Sequence, residues 1–335
     1  MAGFTDIREP VSFDLESEKA NELFLAPAFV SDNIIGGAFY KIMRNVKRTA
    51  VMYFAGALSN IVQKNTGCGW TPSGSMAITQ REIEVCKEKI QLELCTDEFF
   101  DTCFEDMLGN EEGIYQLNET PTGQAILNYW IERVRQGFKN DVWKLSWFGN
   151  TDSVLPFFAQ CNGWIKQIEA DITAGLTPPA VDALSGAPLA AGASVTILEE
   201  VIDAQTDILD DVPASDKVLF VSKSIWNNYK KYLQSNPNCC DSWSTLQDGI
   251  LELRYDGILL IKCSQFDACD ATLGNPDTHR VILAHNRTLT MATDITGEET
   301  SFSIRFDVDS KLHKIEAYFK QGFNVAHPEL IVYAV

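Results

Sequence analysis

Four residues of the C-terminal third, Cys263, Cys269, His279 and His285, are of the types that hold zinc, which takes thiolate and imidazole ligands in a tetrahedral set. The five residues between the two cysteines are not a usual zinc spacing, and the set reads instead as buried thiols and strand-edge histidines. Asp203, Asp207, Asp210 and Asp211 have the chemistry to ligate calcium. Their stretch lacks the alternating ligands and central glycine of a calcium loop, however, and reads as a solvated helix end. Cys239–Cys240 could supply a nucleophile only beside a histidine base, and no spacing places one there. The phosphate-loop pattern, the zinc-peptidase helix pair, paired Cys-x-x-Cys knuckles and the Gly-x-Ser-x-Gly elbow do not occur. The glycines of KNTGCGWTPSGSM (Lys64–Met76) do not have dinucleotide-fingerprint spacing, and they read as the tip of a long extended loop. No catalytic constellation emerges. The expectation is a protein that is not an enzyme and that needs no metal and no cofactor.

Charge is the more informative chemistry. The 335 residues carry a formal net charge of −19, which argues against a free nucleic-acid binder. Yet residues 33–81 contain no acidic side chain and hold Lys41, Arg44, Lys47, Arg48, Lys64 and Arg81. Such a segment suits a surface that meets an acidic partner, and a second copy of the same acidic chain would be partner enough. Asp6, Arg8, Glu9, Asp14 and Glu16 interrupt the start where a secretory signal needs an apolar core. The apolar run Ala50–Leu58 is about half the ~20 residues a membrane helix requires, so no membrane association is expected. Nine cysteines without a regular framework suit reduced thiols in a reducing compartment.

The elements that position these residues are legible from periodicity. AITQREIEVCKEKIQLEL returns from the loop tip as a strand or ribbon with largely alternating apolar residues. Thr96 caps a helix whose apolar face is Phe99, Phe100, Cys103, Phe104 and Met107. Thr120 and Pro121 open the longest helix, which runs to Phe148 with a bend allowed at Gly137. A Pro-, Gly- and Ala-rich stretch, Thr173–Ala193, reads as a boundary. Beyond it, Ser194 opens a helix through Ile208, VLFV is a strand and GILLIKC another. The rest is nearly all β, with Phe302, Ile304, Phe306 and Val308 in strict alternation. The last eight residues read as a proline-led buried strand, whereas exposed termini fray. The tryptophans read as core or interface anchors rather than base-stacking platforms.

In this order, VWKLSWFGNTDSVLPFFAQCNGWIKQI, VLFVSKSIWNNYKKYL, LRYDGILLIKC, HRVILAHNRTLTMATD and QGFNVAHPELIVYAV resemble the major capsid proteins of tailed bacteriophages, of the Hong Kong 97 type, over essentially the whole chain. The resemblance implies an α+β fold with residues 1–39 as an N-terminal arm and 40–95 as the extended loop with its flanking strands. It implies a peripheral domain over 96–177, with its spine helix at about 120–148, and an axial domain over 178–288. Strands of 289–322 would return to the peripheral domain and 323–335 to the axial domain.

Function follows from the same resemblance. The chain would self-assemble as hexamers and pentamers into an icosahedral shell around double-stranded DNA, in the host bacterial cytoplasm, and end in the virion. Lys64, Trp70, Pro72 and Met76 would lie at an intersubunit contact of the extended loop, with Trp70 near its tip. Lys41, Arg44, Lys47 and Arg48 would face neighbouring subunits or DNA. Some members cross-link a loop lysine to a neighbour's asparagine, and Lys64 is the lysine near this tip. The sequence starts at Met1 without room for a cleaved scaffolding segment, so scaffolding is expected from a separate protein, beside portal and decoration proteins. Two other readings stand next to this one: an encapsulin-like compartment, which shares the fold and packages proteins, and a cytosolic α+β enzyme of unknown activity.

Overall fold

The computed structural model describes residues 39–55, 64, 78–95, 121–235, 243–245, 251–286, 288–294, 301–307 and 312–335. Nearly all of the N-terminal arm, the helix expected from Thr96, the Cys239–Cys240 pair, and Trp70, Pro72 and Met76 lie outside the described residues. The strands are β1 (Tyr40–Met43), β2 (Thr49–Ala55), β3 (Ile78–Glu84), β4 (Cys86–Cys95), β5 (Lys217–Ser222), β6 (Trp243–Thr245), β7 (Leu251–Tyr255), β8 (Ile258–Cys263), β9 (Val281–His285), β10 (Leu289–Thr293), β11 (Ser301–Asp307), β12 (Leu312–Val325) and β13 (Ile331–Ala334). The helices are α1 (Pro121–Phe148), α2 (Trp164–Thr173), α3 (Ala193–Asp203), α4 (Asp207–Asp210), α5 (Lys223–Ser235) and α6 (Ser264–Thr272).

Helix α1 has 28 residues and is about 42 Å long at ~1.5 Å per residue. Proline at its first position forfeits no intrahelical hydrogen bond, and the helix continues through Gly137. Its second half buries Phe138, Val142, Trp143, Leu145, Trp147 and Phe148. The connector to α2 then folds back on the helix end. A Cβ at Gly149 would lie 2.3 Å from the Cys161 carbonyl oxygen, so this approach requires glycine.

One sheet has the order β1-β10-β12-β11, with β4 paired to β12 along its other edge. The face of β12 that carries Ile315, Ala317, Phe319 and Phe323 is buried, and Phe319 meets Phe138 of α1 edge-on at 4.7 Å between ring centroids. The second sheet has the order β13-β9-β5-β8-β7-β6, in which β5 and β8 are parallel. Every residue of β5 is buried because both faces are covered. Val218 and Phe220 pack with Trp147, Trp164 and Phe266, while Leu219 and Val221 pack with Ile197, Leu198 and Ile225 of α3 and α5. Trp147 is the hub of the first cluster, with edge-on contacts to Trp143, Trp164, Phe220 and Phe266 at 4.9–5.5 Å.

The chain closes on β13, four buried residues paired antiparallel to β9. Its outer edge is covered by residues 181–183, whose amides at Val181 and Ala183 donate to Tyr333 and Val335. Arg280 grips Asp270 with Nε and Nη2 at 2.7–3.0 Å and donates through Nη1 to the Tyr333 hydroxyl.

Two expectations are corrected. Helix α3 ends at Asp203, and Ile208 sits in a separate short helix, because Thr206 Oγ1 accepts from Leu209 N at 3.2 Å and starts a new N-terminus. The reduced-thiol reading fails at Cys86 and Cys161, which form a disulfide across 75 residues of sequence with Cα atoms 5.9 Å apart. Total cysteine number says nothing about which two the fold brings together.

Candidate assembly interface

Strands β2 and β3 form a two-stranded antiparallel ribbon, with register from Thr49↔Glu84 to Ala55↔Ile78. Paired residues share a face. The inner face carries Met52 and Ile83, both buried. The outer face carries Val51 opposite Glu82 and Tyr53 opposite Gln80, with Tyr53 69% exposed. A tyrosine this open on a ribbon is an apolar body with a polar tip that the described residues of its own chain do not cover.

Lys41, Arg44, Lys47 and Arg48 all lie on the β1–turn–β2 segment and are exposed, and Lys64 is exposed as well. Asn45 takes the left-handed conformation there, at φ 62°, and turns the chain between β1 and β2. Arg81 departs from the basic-surface reading, because it points inward and pairs with Asp171 of α2 at 2.5 Å.

The ribbon is fastened to the body along its length. Phe54 meets the His327 ring edge-on at 4.4 Å, and His327 Nδ1 lies 3.0 Å from Glu329, a contact that lowers the Glu329 carboxyl below its usual range. Asn324 Nδ2 donates to Glu82 O at 2.6 Å. Lys320, itself buried, donates to Lys47 O at 3.1 Å and lies 3.5 Å from Asp294. At the crossing of ribbon and sheet, a Cβ on Gly322 would sit 2.1 Å from Glu84 O, so glycine is what lets the two backbones touch. The Cys86–Cys161 disulfide adds a covalent link from the first residue of β4 to the connector before α2.

One residue on from that link along the inner face, Glu88 is buried between β12 and α1. Gln321 Nε2 donates to its Oε2 at 2.5 Å, while Glu88 Oε1 and Gln321 Oε1 have no hydrogen-bond partner among the described residues. Burial pushes the Glu88 carboxyl up to about 7, against the smaller downward pull of Gln321. It borders a cavity of about 400 Å³ with Ile90, Leu92, Val134, Phe138 and Phe319 on its walls.

The other residues singled out by type do not converge. His279 Nδ1 lies 2.8 Å from Ser224 Oγ and its Nε2 2.8 Å from Ala187 O, whereas Cys263 and Cys269 are buried thiols. Among the described residues, no three His, Cys, Asp or Glu side chains gather as a metal site would need. Asp203, Asp207, Asp210 and Asp211 are exposed around α4. Among the described residues no helix is long and apolar enough to cross a membrane. Sequence reasoning missed Glu88, Tyr53 and the Cys86–Cys161 pair. Of these, only Glu88 left a signal: it is the one charged residue in an otherwise apolar alternation with Ile90, Leu92 and Leu94.

No protein-family model matches the chain, and no curated protein matches it. Among solved structures it is similar to the satellite phage P4 procapsid including size determination (Sid) protein, with TM-score 0.52 and 9% identity over 88% of this chain and 92% of that one. It is similar to the capsid of a native GTA particle, with TM-score 0.51 and 10% identity over 92% of this chain and 89% of that one. For the capsid of an empty GTA particle the values are 0.51 and 9%, over 88% and 87%. At such identities the likeness is one of fold. The chain has the α+β, Hong Kong 97-type fold of tailed-phage capsid proteins.

Proposed function

We propose that the chain is the structural subunit of a closed icosahedral shell, the major capsid protein of a tailed bacteriophage. It assembles with copies of itself as hexamers and pentamers, encloses double-stranded DNA that it contacts without sequence preference, and performs no catalysis. The observation that carries this reading is the ribbon β2–β3. It is fastened to the body along its inner face, by Phe54, Arg81, Glu82 and Glu84, yet its outer face leaves Val51 and Tyr53 exposed. A self-contained globular protein gains nothing from such a ribbon, and a subunit that overlaps its neighbour does.

On this reading residues 1–39 are an arm, 40–95 the extended loop, 96–177 and 289–322 the peripheral domain, and 178–288 with 323–335 the axial domain. Lys64, Trp70, Pro72 and Met76 contact a neighbouring subunit. Lys41, Arg44, Lys47 and Arg48 face acidic neighbours or packaged DNA. Scaffolding, portal and decoration functions come from other proteins, and assembly takes place in the bacterial cytoplasm before the shell becomes the virion.

Electron microscopy of the purified chain tests this. Closed shells are expected, and a population of monomers and small oligomers at every concentration and salt tried refutes it. Nuclease-protected double-stranded DNA in particles from infected cells is the expected content, whereas a protein cargo in its place would move the chain to the encapsulin-like compartments.

A further inference from the structure

Four cysteines have described side chains or bonds, and the fold treats them in two ways. Cys263 and Cys269 are free and buried, and burial raises both thiols, Cys269 to about 11, which leaves them without reactive thiolate at neutral pH. Cys86 and Cys161 are joined to each other. Cys86 is half-buried and Cys161 is 3% exposed, and both line a polar cavity of about 710 Å³ whose walls include Arg48, Glu82, Asn162 and Asn324. A small water-soluble thiol fits this space, whereas an apolar ligand would face mainly polar walls.

The position of the bond matters more than its presence. Cys86 opens β4 two residues after the ribbon strand β3 ends, and it pairs in register with Gln321. Cys161 lies in the connector between α1 and α2, just before Gly163, which is hydrogen-bonded to Gly149. The bond therefore spans the junction between the ribbon and the helical layer. If the bond is opened, the Cys161 sulfur is already 3.5 Å from the Gln321 carbonyl oxygen, so its thiol has an acceptor waiting and the reduced form leaves no buried donor unpaired.

We propose that Cys86–Cys161 is a reversible thiol–disulfide exchange site, open to low-molecular-weight thiols through the polar cavity, and that its oxidation state sets how firmly the β2–β3 ribbon is held to the body. The chemistry balances with such thiols alone. An external thiolate attacks Cys86 Sγ, the more accessible sulfur, and expels Cys161 as a thiolate that takes up a proton. A second external thiol attacks the mixed disulfide at the external sulfur and releases Cys86 as a thiol. Two external thiols become one external disulfide, and two protein thiols appear. Closure is the reverse, with an external disulfide such as oxidised glutathione accepting the two electrons.

The test uses the full chain as an isolated subunit and does not depend on shell formation. Peptide mapping after alkylation, without reductant, should yield a linked Cys86–Cys161 peptide. Dithiothreitol under native conditions should remove it while Cys263 and Cys269 stay unlabelled. Hydrogen exchange should then rise about tenfold at residues 78–90 and 155–163, with β5 and β9 unchanged. The Cys86→Ser/Cys161→Ser double variant should match the reduced chain and ignore dithiothreitol. If that variant does not fold, the comparison of oxidised with reduced native chain gives the same reading. Absence of the linked peptide after exposure to oxidised glutathione, a bond that yields only after denaturation, or acceleration spread evenly over the whole chain would each overturn the proposal.

Discussion

Glu88→Gln should stabilise the subunit at pH 8 and leave it nearly unchanged at pH 4.5. In the native protein Gln321 Nε2 donates to Glu88 Oε2, and the two remaining oxygens, Glu88 Oε1 and Gln321 Oε1, are buried without partners among the described residues. Two acceptors cannot satisfy each other. A proton on Glu88 changes that, because it turns one oxygen into a donor and removes a buried charge. Burial accordingly raises the carboxyl from its ordinary 4.5 to about 7. The folded chain thus binds this proton more tightly than the unfolded chain. The stabilisation is complete below the unfolded value near 4.5, falls as the pH climbs, and is gone once the pH has passed about 7.

The shift of about 2.5 pH units corresponds to roughly 3–4 kcal/mol at ~1.4 kcal/mol per unit, a large part of a typical stability of ~5–15 kcal/mol. Glutamine at position 88 carries a permanent donor where the acid carries its proton, so the amide pair with Gln321 is satisfied at every pH. Asp141 and Asp270 are also raised by burial, and their contributions remain in the native curve, which is why the comparison must be between native and variant chains. Urea denaturation of the soluble subunit in steps from pH 4.5 to 8.5 measures the difference. A gap between the two chains that opens through this window and then levels off is expected. A constant gap, or one that opens toward acid, would refute the account of Glu88.

Three further outcomes follow from the same structure. Deleting Pro328–Val335 removes Ile331, Val332 and Tyr333, all essentially fully buried, at ~1.5–3 kcal/mol each, and strips Arg280 of its Tyr333 partner, so insoluble or unfolded chain is expected; a soluble truncation with an unchanged melting temperature would contradict it. Charge reversal at Lys41, Arg44, Lys47 and Arg48 should lower shell yield cumulatively while sparing the circular dichroism spectrum, since exposed pairs contribute only ~0–1 kcal/mol each. Added salt should imitate that loss in part, because screening shortens charge reach to ~8 Å at physiological ionic strength, and yields indifferent to both would remove the electrostatic reading. Replacing Lys64–Met76 by a short Gly/Ser linker should leave a cooperatively melting subunit that no longer closes into particles, with Trp70→Ala partly reproducing the loss; normal shells from the linker variant would show that this segment makes no essential contact.

Much of the frame was legible because it rests on local signals. Thr120, Pro121 and the recurrence from Trp130 to Leu145 specify α1, and the unbroken VLFV of β5 announces a strand, to which the structure adds that both faces are covered, Val218 and Phe220 on one side and Leu219 and Val221 on the other. Where local signal and tertiary demand diverge, the reading slips. The second half of β12 holds Lys320, Gln321 and Gly322, which no pattern of apolar alternation would favour. Each has a non-local reason: Lys320 reaches Asp294 and Lys47, Gln321 meets Glu88, and Gly322 gives room to Glu84.

The ribbon's fastening was not legible for a related reason. Arg81–Asp171 joins residues 90 apart in sequence, Cys86–Cys161 residues 75 apart, and Glu88–Gln321 residues 233 apart. All three depend on how β4 lies against β12 and on the fold-back of the connector at Gly149 and Gly163. In the observed register Phe319 is opposite Glu88 and Gln321 opposite Cys86, and these positions share the face toward α1. A slip of β4 by one residue would turn Glu88 outward and bring Lys87 and Lys89 into the apolar layer, where an unpaired cation costs far more than a carboxyl that can take up a proton. A glutamate at position 88 is tolerable inside because it can become neutral near physiological pH, and the flanking lysines, which cannot do so at comparable cost, hold the strand in the register that keeps them out. Glu88 thus acts with its neighbours as a register mark for the very strand that carries the ribbon into the sheet.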